Sequence, residues 1–114
     1  MNNCIFCKIA KKEIPSDIIY EDKDIIVFKD ISNQAPIHFL FIPKKHIQSA
    51  NFIDDDNIYY ISEIFKKIPQ IAKEYGFDKK GYRVVNNCNE DGGQSVNHIH
   101  FHLLAGRSLN WPPG

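Results

Sequence analysis

Asp91-Gly92-Gly93-Gln94-Ser95-Val96-Asn97-His98-Ile99-His100-Phe101-His102-Leu103-Leu104 is the stretch on which the fold of this chain turns. Its histidines alternate with Ile99, Phe101 and Leu103. Strand side chains point to alternate faces, so an extended 95–104 puts the three imidazoles on one side and three apolar groups on the other. The apolar side suits a core. The imidazole side admits three readings: a partly exposed strand face, a metal site in the manner of His-x-His zinc ligands, or nucleophilic and acid–base chemistry. The two glycines ahead of the strand let backbone N–H groups converge on an anion, and Ser95 adds a hydroxyl donor. An anion nest, a hydroxyl and a row of imidazoles together point to phosphorus chemistry.

Upstream, 82–86 reads as a strand and 87–94 as a turn-rich loop. Residues 17–20 and 25–28 are strands rich in Ile, Val and aromatics, joined by a hairpin turn at 21–24. The apolar run 39–42, bounded by Pro36 and Pro43, fits a strand buried on both faces. A short N-terminal helix over 6–12 ends before Pro15. One long helix follows Asp54-Asp55-Asp56, whose carboxylates suit a helix N-terminus. Ile58, Ile61, Phe65, Ile68, Ala72 and Tyr75 recur at helical spacing as its core face, and Gly76 closes it. Pro69 inside this pattern predicts a kink or a split. Helices and strands in blocks, with hairpin-length turns, predict an α+β fold with an antiparallel sheet, one long helix and a short N-terminal helix. The 110–114 tail has no regular structure.

The 114 residues make a single domain over 1–114, with 43% hydrophobic and 25% charged residues. That composition excludes a fibre, a coiled coil and a disordered tail. Fourteen basic and 14 acidic side chains give a formal net charge of zero, so charge predicts neither direct nucleic-acid binding nor a polybasic membrane anchor. No run approaches the roughly 18 apolar residues of a membrane span, and the N-terminus lacks signal-peptide features. The expected compartment is cytoplasmic or also nuclear. There, Cys4-Ile5-Phe6-Cys7 favours metal or redox chemistry over a disulfide. No strand precedes it as a thioredoxin-like pair requires. Two thiolates need two further ligands to close a tetrahedral zinc site, and two reduced cysteines at a helix start are the alternative. Cys88 reads as an incidental loop thiol.

Asp91-Gly-Gly-Gln-Ser-Val followed by His98-x-His100-x-His102-Leu-Leu resembles the histidine-triad (HIT) superfamily. More narrowly, it resembles the histidine-triad nucleotide-binding proteins that act as purine nucleoside phosphoramidases. Further motifs follow in order: Phe6-Cys-Lys-Ile with Glu13-Ile-Pro, Asp30-Ile31, Ala35-Pro36-x-His38, Ile42-Pro-Lys-Lys-His46, Tyr82-Arg83 and Trp111-Pro-Pro-Gly. His102 disfavours the uridylyltransferase branch, which usually has Gln there.

The resemblance implies a role for each matched position. His100 is the nucleophile that forms a nucleotidyl-histidine, His102 a phosphate contact, and His38 a catalytic partner from another strand. Ser95 is placed for the phosphate or the leaving amine, and Gly93 and Gln94 supply phosphate-binding backbone. Asp30 accepts from the ribose hydroxyls with Ile31 beside it, and Ile5, Phe6, Ile9 and Phe28 line the base. The family asparagine falls on Asn87, or on Asn86 if the register slips by one. The resemblance implies hydrolysis of nucleoside phosphoramidates or acyl-adenylates to AMP or GMP without a catalytic metal. Members that keep the Cys-x-x-Cys resemble structural zinc binders through positions that are here Cys4, Cys7, His46 and His98. Family members pair as homodimers through the long helix and a central strand, here 54–75 and 82–86. A nucleotide-sensing or scaffolding module, a dinucleoside polyphosphate hydrolase and a tri-histidine metalloenzyme are the rivals.

Overall fold

The computed structural model describes residues 3–114. Helix α1 (Ile5–Ala10) leads into the hairpin of β1 (Ile18–Glu21) and β2 (Ile25–Lys29). Strand β3 (Ile37–Pro43), a 3-10 turn (Ala50–Phe52) and the long helix α2 (Ile58–Glu74) follow. Strand β4 (Tyr82–Val85), the one-turn helix α3 (Asn89–Gly92) and β5 (Phe101–Ala105) complete the chain. The five strands form one antiparallel sheet in the order β1-β2-β3-β5-β4. No helix among the described residues is long and apolar enough to cross a membrane.

The hairpin is closed by Asp22, whose carboxylate accepts from the main-chain N–H groups of Asp24 and Ile25. Strand β3 is buried on both faces, as its uninterrupted apolar run predicts. Phe39 and Phe41 face the larger core with Ile25, Val27, Ile99, Phe101 and Leu103, which α2 covers. Leu40 and Ile42 face a smaller core with Phe6, Ile9, Ile26 and Phe28, which α1 covers. The imidazoles lie on this second side, because Ile99, Phe101 and Leu103 take the first.

Several expectations change. The expected 95–104 strand joins the sheet only from Phe101; residues 96–98 bend, and Ile99 donates its N–H to the Ile47 carbonyl rather than to a ladder partner. The loop over 87–94 contains α3, where Asn89 adopts φ 61° and Gly93 closes the turn at φ 80°. Helix α2 runs through Pro69 without splitting. Pro69 is exposed, so the carbonyl it cannot bond, on Phe65, is on the solvent side. The core face of α2 is Ile61, Ile64, Ile68, Ile71 and Ala72. Ile58, Phe65 and Tyr75, placed in the core by spacing, are half exposed, although Phe65 still meets Phe101 edge-on at 5.4 Å. The apolar stripe is wider than one face, and spacing alone does not mark its centre. Gly76 closes the helix at φ 81°, a left-handed conformation that a side chain would strain. The carboxylate of Asp54 caps the N–H groups of Asp56 and Asn57 just ahead of α2.

Ile64 has no exposed surface, whereas Ile58 is 45% exposed. Urea unfolding should therefore show Ile64→Ala losing about 2–5 kcal/mol, and Ile58→Ala well under half of that.

Candidate active site and metal cluster

Strands β3 and β5 are neighbours, and their register sets Leu40 opposite His102 and His38 opposite Leu104. The offset brings Nε2 of His38 to 2.8 Å from Nδ1 of His102. The main-chain N–H of Gln34 donates to Nδ1 of His38 at 3.0 Å. That nitrogen is therefore the acceptor, and in the neutral ring the proton sits on Nε2. It is donated to His102 Nδ1, with Asp30 Oδ2 at 3.4 Å as a second acceptor. His102 consequently carries its own proton on Nε2. His100 is fixed the other way round. Its Nδ1–H donates to the His98 carbonyl at 2.8 Å, which leaves Nε2 with a bare lone pair.

A cleft of about 500 Å³ opens onto the His100 and His102 rings, and Ile5, Phe6, Ile9, Ile14, Phe28 and Leu40 form its apolar wall. His100, His102, Asp30, Ile31 and Ser95 also line it. Phe6 sits edge-on to His100, with centroids 5.0 Å apart. Among the described residues, neither Nε2 of His100 nor Nε2 of His102 has a partner. Among the described residues, Ser16 Oγ is the fully buried side-chain polar atom left unpaired. Both nitrogens therefore reach the cleft surface. Burial holds the imidazoles neutral: His102 is pushed down to about 4, helped by the charges of His100 and His38, and His38 and His100 shift the same way by desolvation. The nearby Asp30 opposes the shift at all three.

Four other side chains form a separate cluster. Cys4, Cys7, His46 and His98 place one donor atom each within 4.8 Å of the others. Nε2–H of His98 donates to the Pro43 carbonyl at 2.8 Å, so its Nδ1 lone pair points into the cluster. That Nδ1 lies 3.3 and 3.5 Å from the Cys4 and Cys7 sulfurs and 3.2 Å from His46 Nδ1. His46 Nδ1 is 3.4 Å from the Cys7 sulfur. A tetrahedral zinc ion with ordinary Zn–S and Zn–N bonds needs sulfur–nitrogen separations of about 3.5 Å and nitrogen–nitrogen separations of about 3.3 Å. The donor set fits. Cys4 is also the N-cap of α1, accepting from the Cys7 N–H at 3.3 Å.

Asp30, His38 and His102 form a second close group. Gln34 and the His38–His102 bond consume both nitrogens of His38, which leaves it no lone pair for an ion. His98, His100 and His102 do not converge either. The tri-histidine metal reading therefore fails on geometry.

The predicted residues are distributed as follows. His100, His102, Ser95, Asp30, Ile5, Phe6, Ile9 and Phe28 meet at the cleft, Ile31 sits at its rim, 99% exposed, and His38 is buried behind them, reaching the cleft only through its bond to His102. Gly93 and Gln94 do not line it. Their N–H groups bond the Glu90 and Asn89 carbonyls inside the α3 turn, so the expected anion nest is not formed by these two. The Gln94 side chain braces the loop, accepting from Asn89 N–H and donating to the Gln48 and Val96 carbonyls. Asn87 lies outside the cleft lining, and Asn86 instead donates to the His100 carbonyl at 2.8 Å. The Asn86-Asn87 doublet leaves the register of the family asparagine open by one, and at neither position does the sequence predict a contact with the His100 carbonyl. Gln34, which sets the His38 tautomer through its main chain, left no trace in residue type.

The chain matches, over residues 3–110, the family model described as "Scavenger mRNA decapping enzyme C-term binding". An uncharacterized HIT-like protein of Buchnera aphidicola is 44% identical over 108 residues, covering 95% of each chain. The solved structure of a HIT family hydrolase from Legionella pneumophila has a TM-score of 0.96 at 50% identity, covering 98% of this chain and 100% of that one. A histidine triad nucleotide-binding protein from Candida albicans has a TM-score of 0.82 at 36% identity, covering 96% and 83%. The chain belongs to the histidine-triad family.

His102 has a folded pKa below its unfolded value, so the unfolded chain binds more protons between about pH 6.5 and 4, and stability falls with pH across that window. Unfolding free energies at a series of pH values should show His102→Gln reducing proton uptake on unfolding near pH 5 by about one.

Proposed function

We propose that the protein hydrolyses purine nucleoside phosphoramidates or acyl-adenylates to the nucleoside monophosphate through a nucleotidyl-His100 intermediate. The observation that carries this reading is the pair of opposed tautomers. His100 offers a lone pair at the cleft and His102 offers an N–H. A phosphoryl group between them meets a nucleophile and a donor to its developing charge. The hydrolase and nucleotide-binding descriptions of the structural relatives support it.

In the first step, Nε2 of His100 bonds to phosphorus and the P–N electron pair leaves with the nitrogen, which takes a proton from solvent through the Ser95 hydroxyl. The His98 carbonyl stabilises the positive charge that forms on the ring. In the second step, water attacks phosphorus, His100 recovers its lone pair, and the proton taken up is returned. The apolar wall takes AMP or GMP by its base, and Asp30 accepts from the ribose. No metal enters either step. Zinc bound by Cys4, Cys7, His46 and His98 would be structural, because four protein ligands leave no open position.

A homodimer fits the surface. Strand β4 ends the sheet with an open edge, and Tyr82, Phe65, Ile58 and Tyr59 leave apolar area on β4 and α2 exposed.

Steady-state assays with adenosine 5′-phosphoramidate should show His100→Gly losing at least about a thousandfold in kcat, while AMP still binds. A variant keeping a few per cent of turnover would remove His100 as the nucleophile. Metal analysis should find zinc lost in Cys4→Ser/Cys7→Ser, with a lower Tm and a residual rate, and chelation of the wild type should do the same. Abolished turnover with retained fold would make the metal catalytic.

A further inference from the structure

The tautomer of His38 rests on one main-chain N–H, that of Gln34, in the segment 31–36 between β2 and β3. Much of the bonding in that segment stays inside it. The Ser32 N–H reaches the Asp30 carboxylate, the Gln34 side-chain amide donates to the Ser32 carbonyl, and the Asn33 amide donates to the Ala35 carbonyl. Such bonds shape the segment without fixing it against the sheet. A tie to the sheet comes from the turn after β5. Arg107 donates to the Gln34 carbonyl from Nε at 3.3 Å and from Nη2 at 2.9 Å, and its Nη1 donates to the Ser108 carbonyl. Gly106, at φ 98°, packs so closely that a Cβ there would stand 2.8 Å from Cβ of Pro36. The register of β3 and β5, with Ile37 opposite Ala105, brings the two turns together. Arg107 is exposed, yet among the described residues its side-chain hydrogen bonds all go to main-chain carbonyls and none to a carboxylate.

Gln34 is thus held at both of its main-chain polar groups, the carbonyl by a guanidinium and the N–H by His38. A charged donor makes the stronger bond of the two. We infer that Arg107 is a positioning residue for the reaction: by gripping the Gln34 carbonyl it keeps the Gln34 N–H on Nδ1 of His38, and so keeps the N–H of His102 aimed at the phosphoryl group. The inference rests on the hydrolase reading above. The links from Arg107 Nη2 to Gln34, from Gln34 to His38 and from His38 to His102 measure 2.9, 3.0 and 2.8 Å. Without the Gln34 donor, neutral His38 is free to carry its proton on Nδ1 and to accept from Nδ1–H of His102. That turn of the pair would present a bare Nε2 of His102 to the phosphoryl group, where a donor is needed. Two other parts of the site lie outside this chain of bonds. Asp30 is held by its own N–H on the His38 carbonyl, and His100 by the carbonyl of His98. Neither Gln34 nor Arg107 is among the described residues that line the cleft, so Arg107 acts without touching substrate.

The test is Arg107→Ala, read by nitrogen NMR of the histidine rings and by steady-state kinetics with adenosine 5′-phosphoramidate. In the wild type, His38 and His102 should each show a protonated Nε2 and a bare Nδ1, and His100 the reverse. In Arg107→Ala the two nitrogens of His38, and those of His102, should move toward each other in shift as the tautomers mix, while His100 keeps its pattern. The kcat should fall by about 2–10-fold, the range for one hydrogen bond, with AMP affinity unchanged. His102→Ala removes the end of the chain of bonds, so adding Arg107→Ala to it should cost no further rate. Unmoved His38 and His102 signals overturn the inference. Changes in all three rings would mark a general structural defect, and a fall in AMP affinity alongside kcat would mark a direct role in binding; either overturns it. Losses that multiply in the double variant overturn it as well. Failure of wild type to turn over the phosphoramidate overturns the hydrolase reading and this one with it. Turnover by wild type with unmoved ring signals in Arg107→Ala overturns this one alone.

Discussion

His98 is used three times over, and the site is arranged around that. Its Nε2–H is fixed on the Pro43 carbonyl at the end of β3, its Nδ1 faces Cys4, Cys7 and His46, and its own carbonyl holds the His100 ring. The N-terminal segment, the end of β3 and the approach to β5 are thereby tied at one residue with no exposed surface. Cys4 and Cys7 flank Phe6, so whatever closes the cluster also sets the wall of the cleft. Phe6 lies edge-on to both His98 and His100, at 5.9 and 5.0 Å. Cluster and cleft are thus two sides of one packed unit. Loosening the thiols should be felt in the position of α1 and, through the His98 carbonyl, at His100.

The division of the sheet into two faces decides where this unit can sit. Strand β3 feeds both cores, Phe39 and Phe41 to the one under α2 and Leu40 and Ile42 to the one under α1. Helix α2 is long enough to cover its face, whereas α1, with six residues, covers only part of the other. The uncovered remainder is the cleft. A short helix pinned by two cysteines leaves a rigid-walled opening where a longer one would have filled the space with side chains.

Alternation placed the three histidines on one side, and the structure agrees even though 95–100 is not a sheet strand. The sidedness is kept although 96–98 bend, because Ile99, Phe101 and Leu103 go to the core under α2 and leave the imidazoles the other side. The ladder depends on a partner, which it lacks until Phe101. The α2 face was less legible. Ile58, Ile61, Phe65 and Ile68 satisfy helical spacing as well as Ile61, Ile64 and Ile68 do, and only the position of the sheet chooses between them. The Gly92-Gly93 pair misled because glycine permits an anion nest and a helix-closing turn equally well, and here Gly93 closes α3. The tautomers are out of reach, since they are set by the main-chain N–H of Gln34, which any residue but proline would supply, and by the carbonyl of His98, which any residue would.

Burying this many imidazoles is costly unless their nitrogens are bonded, and the bonding pattern shows what the cost is spent on. His38 has both nitrogens engaged, and His98 has one engaged with the other among three potential metal ligands. Of the histidines on the cleft, His100 and His102 each have Nδ1 engaged and Nε2 left over. The two leftovers are chemically unlike, a lone pair and an N–H, because each ring is held by a partner of opposite character. A His38→Asn replacement would leave His100 untouched but free His102 to take either tautomer. Its effect should fall on stabilisation of the phosphoryl charge rather than on attack, a loss in kcat smaller than that from removing His100 itself.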